Sequence, residues 1–161
     1  MSDLIIDPAD YPTDTSYMSL EQAQRINPQR FEFEQVDAIL AYDREDNLMV
    51  GYRELKDDEF WARGHLPGRP LFPGVLMCEC LAQVASVHAH IQLELPEDLF
   101  LGFAGLDNVR FRAPVEPGTK LWAAGRIKRA SKQRLYFKWD GQLITEAKEI
   151  VCEATVTGMA F

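Results

Sequence analysis

Between Gly64 and Gly74 the chain reads Gly-His-Leu-Pro-Gly-Arg-Pro-Leu-Phe-Pro-Gly, and after Gly74 neither Gly nor Pro recurs before Pro96. Prolines at 67, 70 and 73 withhold the backbone donors that a helix or a central strand needs, so the first stretch is predicted to be a stiff loop. Val75 to Leu95 then has room for a helix, supported by Leu76, Leu81, Ala82, Val84, Ala85 and Val87. About 20 residues at 1.5 Å each make a rod roughly 30 Å long. Apolar side chains extend round most of its circumference, the mark of a helix wrapped by other structure. Glu79, Gln83, His88, His90 and Glu94 are too many polar groups for a membrane span.

The flanking sequence reads as strands. Phe31 to Tyr42 and Leu48 to Leu55 are expected to form a hairpin about a turn at Asp43–Asn47. Phe100–Phe111, Lys120–Lys128, Leu135–Trp139 and Leu143–Met159 follow, with turns expected at Pro117-Gly118 and Asp140-Gly141. Ser19 with Gln22 three places on predicts a capped short helix reaching Ile26. One long helix among five or six hairpin-connected strands implies an α+β fold, an antiparallel sheet curled round the helix. At 161 residues the chain suits one core. Residues 1–25 are read as an acidic arm lying on the surface and 26–161 as a single domain.

Charge narrows the partners. The net charge is −8, and residues 1–64 carry 15 acids against 6 bases while the remainder carries 10 against 11. Nucleic acid is therefore disfavoured as a partner, since phosphate binding draws on Lys and Arg. Cys78, Cys80 and Cys152 lack metal-ligand spacing and suit core filling in a reducing compartment. No basic start followed by an apolar run opens the chain, and a cytoplasmic protein is expected. No metal and no cofactor are expected.

The chemistry converges on residues 64–83. His65, in the stiff loop, is a candidate base, since imidazole is the side-chain type whose charge changes near neutrality. Gly74 opens the helix, where first-turn amides have no intrahelical acceptor and sit at the positive end of the dipole. Glu79 lies among Met77, Cys78, Cys80 and Leu81, where burial is expected to disfavour its charge and keep a proton on it. Gln83, one turn on, is placed to hold that carboxyl group. A base, an acid and an oxyanion site suit loss of a proton next to a carbonyl with departure of a β-hydroxyl group.

The residues Gly64 to Leu76, followed by Glu79 and Ala82-Gln83, resemble the signature of FabZ-type 3-hydroxyacyl-acyl carrier protein dehydratases. The likeness continues in Pro28-Gln29-Arg30-Phe31, in Gly105 to Phe111 and in Pro114 to Gly118. It covers roughly residues 26 to 153. The resemblance implies the hot-dog fold, with His65 as base at the α-carbon, Glu79 as the group that helps the hydroxyl leave, and Gly74, Val75, Gln83 and Phe72 as substrate-binding residues. It further implies an acyl carrier protein as partner and a homodimer, with hexamers of three dimers frequent in the family, His and Glu of each site coming from different subunits. Two positions depart from the pattern: Leu66 replaces the usual aromatic residue, and Gln29 stands where a His often precedes the upstream Arg. The rival expectations are a hot-dog thioesterase and a noncatalytic acyl-binding or polyketide-pathway partner.

Overall fold

The computed structural model describes residues 3–160. Within them the strands are β1 (Met18–Ser19), β2 (Ala38–Asp43), β3 (Leu48–Glu54), β4 (Leu101–Phe111), β5 (Lys120–Ser131), β6 (Tyr136–Thr145) and β7 (Ile150–Ala160). The helices are α1 (Leu20–Ala23) and α2 (Gly74–Leu93). The strands form one antiparallel sheet in the order β1-β2-β3-β5-β6-β7-β4. β4 thus lies at the far edge, reached by way of α2, which crosses beneath the sheet. Register shifts in β2, β4, β5 and the β6–β7 pair are the irregularities that bend a sheet, and this one curves round α2 as expected.

Twelve of the 20 residues of α2 are buried, so its apolar run is that of a core helix. Leu81, Val84 and Val87 have no exposed surface and pack with Ile39, Met49, Leu121, Trp139 and Leu143; each such side chain contributes roughly 1.5–3 kcal/mol relative to exposure. The helix ends on Glu94 in the left-handed conformation, its N–H bonded to His90 and Ile91 carbonyls. Cys78, Cys80 and Cys152 are free and buried, and burial pushes the Cys80 thiol up to about 12.

Several expectations need correction. Phe31–Phe33 is a 3-10 turn, and the strand begins only at Ala38, because the Gln35 N–H is taken by the Gln83 side chain at 2.9 Å instead of a neighbouring strand. Asp140-Gly141 is no turn: β6 runs through it to Thr145, and the strand expected over Leu143–Met159 is broken after Thr145 by the turn that leads to β7 at Ile150, closed by the Lys148 N–H on Thr145 O. Gly141 serves the packing of Trp139, whose ring would stand 1.9 Å from a Cβ there. The arm, finally, is built into the fold. Ile6 and Pro8 are buried, Ile6 joins Leu48, Val50, Tyr52, Trp122 and Ile144 on the outer face of the sheet, and Tyr11 O accepts from the Trp122 indole at 3.0 Å. That cover is why β3 is buried on both faces. Ser19 caps α1 in a complete capping box, but α1 stops at Ala23.

Candidate active site

The loop bearing His65 is fastened before it reaches the imidazole. Buried Arg53 pairs with Asp37 at 3.0 Å and Glu59 at 2.7 Å, and Glu59 also accepts from the Lys56 N–H. Trp61 packs against Phe72 with ring centroids 5.4 Å apart, while its carbonyl accepts from the Gly64 and His65 amides. The Phe72 N–H donates to Val115 O at 2.7 Å, seating the other end. His65 Nδ1 lies 2.9 Å from Leu71 O. A carbonyl only accepts, so Nδ1 carries the hydrogen and the lone pair is on Nε2, the exposed nitrogen of a base.

At the start of α2 the Leu76 and Met77 amides both turn back to Pro73 O, at 2.9 and 3.1 Å. Gly74 and Val75 are left as first-turn donors at the positive end of a 20-residue helix. The Phe111 ring crosses this point, 2.9 Å from where a Gly74 Cβ would stand. His65, Phe72, Gly74, Val75, Phe111 and Arg112 share a hollow of about 620 Å³. Val75 is exposed there, whereas Phe72 is 3% exposed, so it reaches the hollow as part of its core wall.

Glu79 lies one and a half turns along α2 on the rim of a second, narrower hollow of about 100 Å³. It is partly exposed, contrary to the enclosure that its sequence neighbours suggest. Cys78, Cys80 and Leu81 point into the core and leave Glu79 facing outward. Its Oε1 accepts from Gln83 Nε2 at 2.8 Å and from Gln29 Nε2 at 3.3 Å. Gln83 is buried and fully engaged, accepting from the Gln35 N–H and donating also to Phe33 O. Asn27, Gln29, Ser86, Phe103 and Phe137 complete the surroundings.

The single chain therefore holds the predicted residues in two groups: His65 with Gly74, Val75 and Phe72, and Glu79 with Gln83. It does not bring His65 to Glu79. Asn27 and Gln35, which pin the second group, were not singled out by sequence, and Gln29 stood out only as a departure from the family pattern with no role attached, because each acts on a residue some 50 positions away with no periodic signal. Among the described residues no group of His, Cys, Asp and Glu side chains is arranged to hold a metal ion. His88 and His90 are far from both groups in role: His90 bonds to Ser86 O and Leu99 O, and His88 accepts from Trp139.

A two-part constellation of this kind on a helix wrapped by one sheet defines a class. Residues 27–155 match the FabA-like domain, and the chain belongs to that family. Within it, the chain is 33% identical over 147 residues to the 3-hydroxyacyl-acyl carrier protein dehydratase FabZ of Escherichia coli strain HS, covering 89% of this chain and 93% of that protein. Among solved structures it is similar to the dehydratase heterocomplex ApeI:P of Xenorhabdus doucetiae, with a TM-score of 0.71 at 12% identity over 86% of this chain and 90% of that one. The E. coli PaaI protein matches with a TM-score of 0.58 at 13% identity, covering 76% and 78%. At such identities these likenesses show the hot-dog fold.

Proposed function

We propose that the protein is a 3-hydroxyacyl thioester dehydratase, forming the trans-2-enoyl thioester and water in fatty acid biosynthesis, with the acyl group carried on acyl carrier protein. His65 Nε2 takes the α-proton. Charge that develops on the thioester oxygen is stabilised by the Gly74 and Val75 amides, which need no reorganisation to receive it. The C–H electron pair becomes the C2=C3 bond, the C3–O bond breaks, and Glu79 delivers the proton with which the hydroxyl leaves as water. His65 ends protonated and Glu79 ionised, and a proton passed between them through water resets the pair. The observation that carries this reading is the Leu71 O contact on His65 Nδ1, which turns Nε2 outward as a base beside free helix-start amides.

Two separate hollows suit a site completed by a second copy, the first hollow of one chain facing the second hollow of its partner. β4 supports a homodimer. It is a sheet edge of 11 residues, and Phe103 and Phe111 on it and Val75 beside it are 52%, 54% and 76% exposed, an apolar edge that a second copy would cover. Acidic carrier protein would meet the exposed Arg69 and Arg110 and, at the His65 hollow, Arg112, which also pairs with Glu153. Lys128 and Lys132 are less available, being engaged by Asp140 and by Glu94 O. Three buried, unlinked thiols favour a reducing, cytoplasmic setting.

The test is product analysis with 3-hydroxyacyl thioesters of several chain lengths on carrier protein and on coenzyme A. Enoyl thioester without free thiol supports the reading. Free thiol would make the protein a thioesterase, and tight binding without product would make it a noncatalytic acyl-binding partner.

A further inference from the structure

We propose that Gln29 is a positioning residue for Glu79, the outer half of a two-amide clamp that leaves Oε2 as the carboxyl oxygen presented to the substrate; the inference rests on the dehydratase reading above. Both donors reach the same oxygen, Gln83 Nε2 at 2.8 Å and Gln29 Nε2 at 3.3 Å. They arrive from different parts of the chain, Gln83 from the next turn of α2 and Gln29 from the segment before the 3-10 turn at Phe31–Phe33. Neither amide is free to reverse without loss. Gln83 Oε1 is fixed by the Gln35 N–H, so its Nε2 must face Glu79. Gln29 must likewise turn its NH₂ toward a carboxylate oxygen that only accepts.

The segment carrying Gln29 is held independently of Glu79. Arg30 Nη1 donates to the Asn27 and Gln29 carbonyls at 2.7 Å each, and its Nη2 donates to Gln24 O at 2.9 Å. Asn27 Nδ2 donates to Gln83 O at 3.1 Å, tying the segment to α2. Gln29 is thus delivered to the carboxyl group by a braced backbone. With two N–H bonds on Oε1, a proton on the carboxyl group belongs on Oε2, where it can pass to the oxygen leaving C3. Gln29 Oε1 is itself buried with no partner and lines the same hollow as Glu79. As C3–O breaks, Glu79 Oε2 gives up its proton and the hydroxyl oxygen keeps the C–O electron pair, leaving as water.

Steady-state dehydration of a 3-hydroxybutyryl thioester by the full chain tests this with Gln29→Leu, which keeps bulk and removes the donor, and Gln29→His, which supplies a ring N–H. Gln29→Leu is expected to lower kcat at least about tenfold with KM within about twofold, and Gln29→His to recover most of the loss. A folded Gln29→Leu with unchanged kcat overturns the proposal, as does a folded Gln29→His no better than Gln29→Leu. Gln29→Met guards against a packing defect in the Leu variant; if both fail to fold, Gln29 is structural and the proposal falls. A wild-type protein that releases no water overturns instead the dehydratase reading.

Discussion

The indole N–H of Trp139 donates to Nδ1 of His88 at 3.0 Å, and neither side chain meets solvent. The bond assigns the His88 hydrogen to Nε2, and that N–H is buried without a partner. Burial lowers the pKa of His88 from its ordinary value to about 4. Between pH 6.5 and 4 the unfolded chain therefore binds a proton that the folded chain refuses, so stability falls as pH drops. From pH 7 to pH 5 this costs about 2 kcal/mol. Urea unfolding at both pH values, with wild type set against His88→Gln, measures it. The variant keeps an acceptor for the indole and is expected to lose less stability on acidification, and equal losses would contradict the assignment.

Gly141 and its cross-strand partner Gly125 lie under the Trp139 ring, where an added Cβ would come within 1.9 and 2.4 Å of ring atoms. Trp139 is the largest fully buried side chain and cannot swing out. Gly141→Ala is expected to destabilise the fold by about 3 kcal/mol or more, at the upper end of overpacking effects. Its urea midpoint is the check, and a midpoint equal to that of wild type would show that Trp139 repacks freely.

These glycines also show where sequence reading stopped. α2 was legible because Pro73 and Pro96 bracket a run free of Gly and Pro, a local signal for a local structure. Asp140-Gly141 has turn composition, yet the glycine is there for a tertiary contact that composition cannot display. Phe31–Phe33 has strand composition, but the donor a strand would use at Gln35 is spent on a side chain 48 residues away. At the site, His65, Gly74, Glu79 and Gln83 stood out because a motif of 20 residues carries them. The contact between Gln29 and Glu79 did not, because it spans 50 residues and depends on how Arg30 braces its segment; the sequence showed Gln29 only as a departure from the family pattern.

The N-terminal arm makes a third prediction. Ile6 and the Tyr11 carbonyl cover Tyr52 and Trp122 on the outer face of the sheet, and Asp7 pairs with Lys148 at 2.6 Å. The two partners shift in the sense their pairing requires, Asp7 downward and Lys148 upward. Deleting residues 1–17 is expected to cost about 2–3 kcal/mol, the scale of one large apolar side chain, and to shift tryptophan emission to the red as Trp122 meets water. An unchanged urea midpoint and spectrum would mean that the arm merely rests there.

Single substitutions in the site should leave the fold intact. His65 is on an exposed loop and Glu79 on a pocket rim, so His65→Ala and Glu79→Gln are expected to keep the wild-type urea midpoint while dehydration falls by roughly 10²–10⁴-fold, the range for removing a general acid or base. Wild-type turnover in either variant would remove that residue from the mechanism.

Mixing those two variants tests the central claim most directly, because His65 and Glu79 occupy separate hollows of one chain. If each site takes His65 from one subunit and Glu79 from the other, unfolding and refolding the inactive variants together at equal concentrations makes about half the dimers mixed, each with one intact site, and restores about a quarter of wild-type dehydration. A mixture as inactive as its components would contradict the account.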